Sequence, residues 1–324
     1  MSPVERARVL LVAASLAEQR GNYAGALNAA QQALEMLEAR STDAMTREAD
    51  DLLLQAWGLA GSLQRQLAQY NEAEALLQRA LDFTLEKYGE AADETSLARN
   101  QLAVLHKYTG EFEKGESLYR LALKHVLKNH GEMHALAAML YHNLGGLFHA
   151  RGDFAGGEPF GLRAWEIDRA LLGEDDLVTL ADAAAYAGLL DGLKRFDESE
   201  PIYERVLSAY EQHAGIDPYE IAVNLNNLAN VRFARGDFQG AEQGLRQALA
   251  IKEKSLGPDH PDCALTENNL GVVLRSLGRS QEAGKLFARA LAIFEARLGP
   301  HHPRTVMVRG NLTGGEAAGA SLSR

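Results

Sequence analysis

Apolar residues recur at helical spacing along almost the whole chain, in paired stripes broken by a turn. Residues 225–261 show the unit most plainly. Leu225, Leu228, Val231 and Ala234 make one stripe, and Ala241, Leu245, Ala248, Leu249 and Ile251 make a second. Both fit the 3.6-residue period of an amphipathic helix. Gly236-Asp237 separates the two stripes. Gly257 stands where a helix end calls for left-handed backbone, and Pro258 cannot continue the helix. Asp259-His260 then offers a cap, and Pro261 suits a first turn. The pattern predicts a helical hairpin.

The hairpin repeats. Asn226-Asn227-Leu228 returns as Asn268-Asn269-Leu270, and Gly257-Pro258 returns as Gly299-Pro300, a spacing of 299 − 257 = 42 residues. Steps of 42 back from the turn glycines Gly278 and Gly236 land on Lys194, Gly152, Gly110 and Ala68, and one longer step of 47 reaches Gly21. Two residues past the turn stand Tyr23, Tyr70, Phe112, Phe154, Phe196, Phe238 and Ser280. Three further on comes a small residue: Ala26, Ala73, Gly115, Gly157, Ser199, Ala241 and Ala283. Small side chains let the helices of a hairpin approach closely, and a fixed period of this size announces a solenoid. The expected repeats lie near residues 5–40, 47–88, 93–129, 134–172, 176–214, 219–256 and 262–298, followed by a cap helix over 302–312. All belong to one solenoid over 1–313. The stretch 41–50 is the one enlarged connection, and 314–324 lacks periodicity and bulk, as a disordered tail would. Repeats four and five are expected to be the weak segment. Gly156, Gly157, Pro159 and Gly161 fall where helix formers belong, and Lys194 replaces a turn glycine.

The Trp57-x-x-Ala60-Gly61 run, the aromatic after the turn and the alanine columns resemble the tetratricopeptide repeat. The 42-residue period with its LNNLA and LGPDHP wording is similar to the long-helix variety of kinesin light chains and many bacterial repeat proteins. The resemblance implies an all-α, right-handed α-α superhelical solenoid in which the first helix of each pair lines the concave side. A kinesin light chain carries a heptad segment before its repeats, whereas this chain enters its first repeat almost at once, so it is not expected to be one.

Composition narrows the function. A net charge of −11 argues against nucleic acid or an anionic membrane as the main partner. No apolar run approaches the roughly 20 residues a bilayer span needs. Arg6 and Arg8 before the apolar run 9–17 raise the possibility of a signal peptide, but Glu5 interrupts the basic region. Leu10, Ala13, Leu16 and Ala17 also occupy repeat columns. A cytoplasmic location is therefore expected. The single cysteine, Cys263, excludes an intrachain disulfide and is read as a small buried hydrophobe.

Candidate chemistry is sparse. His130-Gly131-Glu132-Met133-His134 has the outline of a zinc-binding pair, but the register places it in an inter-repeat loop rather than on one helix face. His142 and His149 share a face two turns apart, about 10 Å of rise and too far for one metal. No phosphate loop, nucleophile elbow or cysteine with a base partner is present. Neither an enzyme nor a cofactor or metal is expected.

What remains is the concave face. One column of first helices reads Gly58, Asn100, His142, Ala184, Asn226 and Asn268, and seven residues on another reads Arg65, Lys107, His149, Asp191, Phe233 and Arg275. Asparagine is a mediocre helix former, so its recurrence on an open face suggests a ladder for a peptide backbone. The second asparagines, Asn143, Asn227 and Asn269, are assigned to helix–helix bonds. The cations beside the ladder suggest an acidic partner segment, with Phe233 as an apolar contact. The expected peptide-binding residues are Asn100, His142, Asn226, Asn268, Arg65, Lys107, His149, Phe233 and Arg275. Two function classes follow. One is a non-catalytic scaffold holding a protein or peptide segment. The other is a regulator whose superhelix changes shape on binding a peptide or small molecule.

Overall fold

The computed structural model describes residues 2–39, 46–213 and 215–314. Part of the 41–50 connection and nearly all of the 314–324 tail lie outside the described residues. Among the described residues there are fifteen α-helices and no strand.

The chain divides into two compact units, residues 1–171 and 172–324. The first contains α1 (Pro3–Gln19), α2 (Tyr23–Glu38), α3 (Arg47–Gln66), α4 (Tyr70–Tyr88), α5 (Asp93–Thr109), α6 (Phe112–His130), α7 (Ala135–Arg151) and α8 (Phe154–Leu172), which reaches the boundary. The second contains α9 (Leu177–Gly192), α10 (Phe196–Gln212), α11 (Pro218–Ala234), α12 (Phe238–Leu256), α13 (Pro261–Ser276), α14 (Ser280–Leu298) and α15 (Pro303–Thr313). The aromatic column supplies the first residue of every second helix, with Ser280 in the same role in α14.

The turns are built alike. Gly110 and Gly278 adopt φ near +80°, and the next residue donates its N–H back five positions, Glu111 to His106 and Arg279 to Leu274, both at 2.9 Å. This is the Schellman geometry, which satisfies the last carbonyls of the first helix. Ala68 and Lys194 complete the same bend at φ 58° and 60° despite their Cβ atoms.

Three of the helix starts between repeats use a histidine cap. The Nδ1 atoms of His134, His260 and His302 accept the N–H of Leu136, Asp262 and Arg304 at 3.1–3.2 Å. His134 is thus an N-cap, and His130, whose Nε2 lies 2.8 Å from Asp93, ends α6. The pair lies across a loop and not along a helix face.

Cores form where the small column meets large neighbours. Ala26, Ala73, Ser199, Ala241 and Ala283 are buried, as are the alanines seven residues further on. The stripe of α1 differs from expectation by its side. Ala7, Leu11 and Ala14 are buried, while Leu16 is 48% exposed and Leu10 and Ala17 are only half-buried. The columns chosen from the sequence are those that pack against a preceding repeat, and no described helix precedes α1.

Candidate functional site

The asparagine ladder is a seam rather than an open face. Asn143 Nδ2 donates to Asn100 Oδ1 at 2.7 Å, Asn269 Nδ2 to Asn226 Oδ1 at 3.4 Å, and Asn311 Nδ2 to Asn268 Oδ1 at 2.8 Å. Asn100, Asn226 and Asn268 are 9%, 6% and 1% exposed. Of the second asparagines, Asn143 and Asn269 do join helices, as Asn311 does in α15, and each donates to a residue expected to face a ligand. A buried amide left unpaired would cost about 1–3 kcal/mol, which explains why two asparagines recur together.

The second column splits by residue type. Phe233, expected as a ligand contact, is 9% exposed and packs on Phe238 with ring centroids 5.3 Å apart. His149 meets Phe154 edge-on, with the same 5.3 Å between ring centroids. An aromatic here folds onto the aromatic that opens the second helix. Arg275 lacks that neighbour, because Ser280 stands there. It donates to the Asn311 carbonyl at 3.2 Å and lies over Phe287. Asp191 is buried and accepts from Tyr203 at 3.0 Å. His142 is half-buried on α7.

Arg65 and Lys107 are brought together. The Arg65 guanidinium lies 4.2 Å from the Tyr108 ring centroid, and Lys107 Nζ lies 5.5 Å from the same ring. Tyr108 is 57% exposed. Arg65 donates to Ser62 at 3.2 Å, and neither cation has a carboxylate partner among the described residues. Burial, and then the Arg65 charge, push the Lys107 ammonium below its ordinary range.

Arg65 closes one end of a groove along α3 and α5, with Lys107 beyond it at the same Tyr108 ring. Its larger hollow, about 380 Å³, has Leu54, Leu77, Leu97 and Ala98 in its wall, and a smaller one of about 230 Å³ is lined by Gly58, Gly61, Arg65, Gln101 and Val104. At the far end Arg47 is neutralised by Glu94 and, at 3.3 Å, by Asp51. The glycines matter to its shape. A Cβ on Gly58 would fall 2.5 Å from the Gln101 amide, and one on Gly61 would fall 2.7 Å from Leu77. Sequence reasoning missed Leu54, Leu97, Gln101 and Tyr108. One available signal was Leu97, an apolar residue left 39% exposed in the middle of a helix.

A tetratricopeptide repeat model matches residues 136–212, 220–296 and 262–314, and a second such model matches residues 54–86. The chain belongs to the tetratricopeptide repeat family. No curated protein sequence matches it. Among solved structures, BtubC (BKLC) from P. vanneervenii is similar at 24% identity and a TM-score of 0.62, over 71% of this chain and 91% of that one. The apo quorum sensor NprR from B. thuringiensis is similar at 14% identity and a TM-score of 0.64, over 90% of this chain and 77% of that one. A Rap protein complexed with Competence and Sporulation Factor is similar at 14% identity and a TM-score of 0.61, over 97% and 88%. These likenesses show a tetratricopeptide-type solenoid fold. Proteins of this family are generally non-catalytic scaffolds, and the fold implies a protein or peptide partner.

Proposed function

We propose that this tetratricopeptide repeat protein is a non-catalytic module that holds an extended, acidic protein segment along the first helices of its repeats, with the α3–α5 groove as the principal site. The observation that carries the reading is the Arg65–Lys107 pair. Two cations lie against one exposed tyrosine, without a carboxylate, in a chain of net charge −11. Desolvation of Lys107 is relieved by an incoming anion. The adjoining apolar hollow suits a leucine- or phenylalanine-sized side chain two to four residues away on an extended segment, at about 3.3 Å per residue. His142 and His149, on α7 of the same unit, fit this reading as flanking residues, whereas Arg275 belongs to the second unit. Asn100, Asn226, Asn268 and Phe233 support it indirectly, by setting the helix spacing.

The test is fluorescence anisotropy with a labelled pool of acidic peptides, each carrying one leucine or phenylalanine. Arg65→Glu/Lys107→Glu is expected to weaken binding by about tenfold or more at low salt. Leu97→Asp is expected to weaken it at any salt. Folded variants of both kinds that bind like the parent would sink the proposal.

A second reading is supported by likeness to the quorum sensor NprR and to the Rap protein complexed with its factor. In it the bound segment is a signal that alters a further partner contact. Small-angle scattering with and without ligand separates the two, since only a regulator changes its dimensions.

A further inference from the structure

A glutamate stands six residues past the turn in five successive repeats, at Glu74, Glu116, Glu158, Glu200 and Glu242. Three of these take an arginine from the turn of the following repeat. Arg151 Nη1 donates to Glu116 at 2.9 Å, Arg235 Nη1 to Glu200 at 2.8 Å, and Arg279 Nη1 to Glu242 at 2.8 Å. Each junction thereby joins a carboxylate to a fixed cation. At Glu74 the pattern breaks. The places held elsewhere by Arg151 and Arg235, and by Arg279, are here Thr109 and Glu111. Glu74 makes no ion pair among the described residues.

In place of the arginine the turn presents a second carboxylate and an imidazole. Glu111 and His106 are joined by the Schellman bond of the α5–α6 turn, 2.9 Å from N to O. That bond usually brings two apolar side chains together; here it sets His106 Nδ1 2.7 Å from Glu111 Oε2. His106 is 5% exposed, so its ring is held by packing. Donor atoms of Glu74, His106 and Glu111 all lie within 4.8 Å of one another. An ion with bonds of about 2.0–2.2 Å needs donors somewhat closer than that, a change the exposed Glu74 side chain can make by rotation.

We infer that Glu74, His106 and Glu111 bind a divalent first-row ion of the zinc type, which ties α4 to the α5–α6 turn where three other junctions use arginine. One imidazole nitrogen and two carboxylates form a borderline donor set that prefers such an ion to Mg²⁺ or Ca²⁺. Water completes the coordination. The competitor is Lys114, whose Nζ lies 2.5 Å from Glu111 Oε1 and whose charge also faces Glu74. Its side chain is 59% exposed, so it can leave as the ion enters. Spacing along one helix could not reveal this site, because its donors come from α4, α5 and the cap of α6.

The test is calorimetric titration of the full chain with Zn²⁺ at pH 7, paired with thermal unfolding. One equivalent is expected to bind and to raise the melting temperature, with Mg²⁺ at the same concentration doing neither. His106→Gln and, independently, the surface change Glu74→Gln are expected to weaken binding by about tenfold or more. Lys114→Gln is expected to tighten it, and His130→Gln to leave it unchanged. Binding that survives both His106→Gln and Glu74→Gln, or that weakens in Lys114→Gln, overturns the inference.

Discussion

Glu267 places a carboxyl group with no accessible surface in α13, 2.7 Å from Arg289 on α14. Desolvation outweighs that arginine, and with the charges of Glu253 and Asp259 it pushes the group up to about 7 from an ordinary 4.5. Between those values the folded protein keeps a proton that the unfolded chain has released. Stability therefore falls as pH rises through the window and levels off above it, by on the order of 3 kcal/mol at most. Glu267→Gln is expected to flatten this component. Urea unfolding between pH 5 and pH 8 checks it, and parallel profiles for parent and variant would refute it. Arg289 also pairs with Glu253 at 3.1 Å, so the substitution leaves it a carboxylate partner. Cys263 shows how far a residue type alone can be read. Its burial was legible, and that burial pushes the thiol up to about 11. Its hydrogen bond was not. Cys263 Sγ donates to the Gly257 carbonyl at 3.4 Å, as Thr95 and Thr305 do to Gly89 and Gly299 at 2.8 Å. The column collects side chains that close a helix end, which hydropathy cannot express.

At the level of helices and turns, local signals served well wherever backbone sterics decide. The turn positions were found by glycine, and the two exceptions bend the same way at a cost. A non-glycine residue in the left-handed region is strained by about 1 kcal/mol. Ala68→Gly and Lys194→Gly are therefore each expected to stabilise the protein by roughly that amount, read as a higher denaturation midpoint. A loss of stability would show that the Cβ atoms make compensating contacts. Helix α8, whose glycines are expected to lower local stability, runs over Phe154–Leu172 with Pro159 inside. A Cβ on Gly156 would come within 2.7 Å of the Phe148 ring. The poor helix former is what lets Phe148 on α7 pack there, so propensity is set against close approach.

Across the whole molecule, no described helix is long and apolar enough to cross a membrane, and in a solenoid a repeat is stabilised by its contacts with its neighbours. The Asn268–Asn311 bond is one such contact, holding α15 to α13. Asn311→Ala strands a buried amide, which is expected to cost about 1–3 kcal/mol. By nearest-neighbour coupling it should speed hydrogen exchange in α13–α15 while leaving α1–α4 unchanged. Uniform acceleration would contradict that. The amino-acid sequence by itself determined the hairpin unit, its period, its turns and its small-residue columns. Each of these rests on local sterics or on a helical period, and a single segment displays both. Which side of a helix meets a neighbour was decided only by the tertiary structure. Asn100 lies in the seam and Gln101 in the groove wall, one residue and about 100° of helix apart. Periodicity names a face to within roughly that angle, and only packed neighbours can choose within it. The groove's missed residues and the Glu74–His106–Glu111 cluster were illegible for the same reason. They assemble from separate helices, and no spacing along one helix records that meeting.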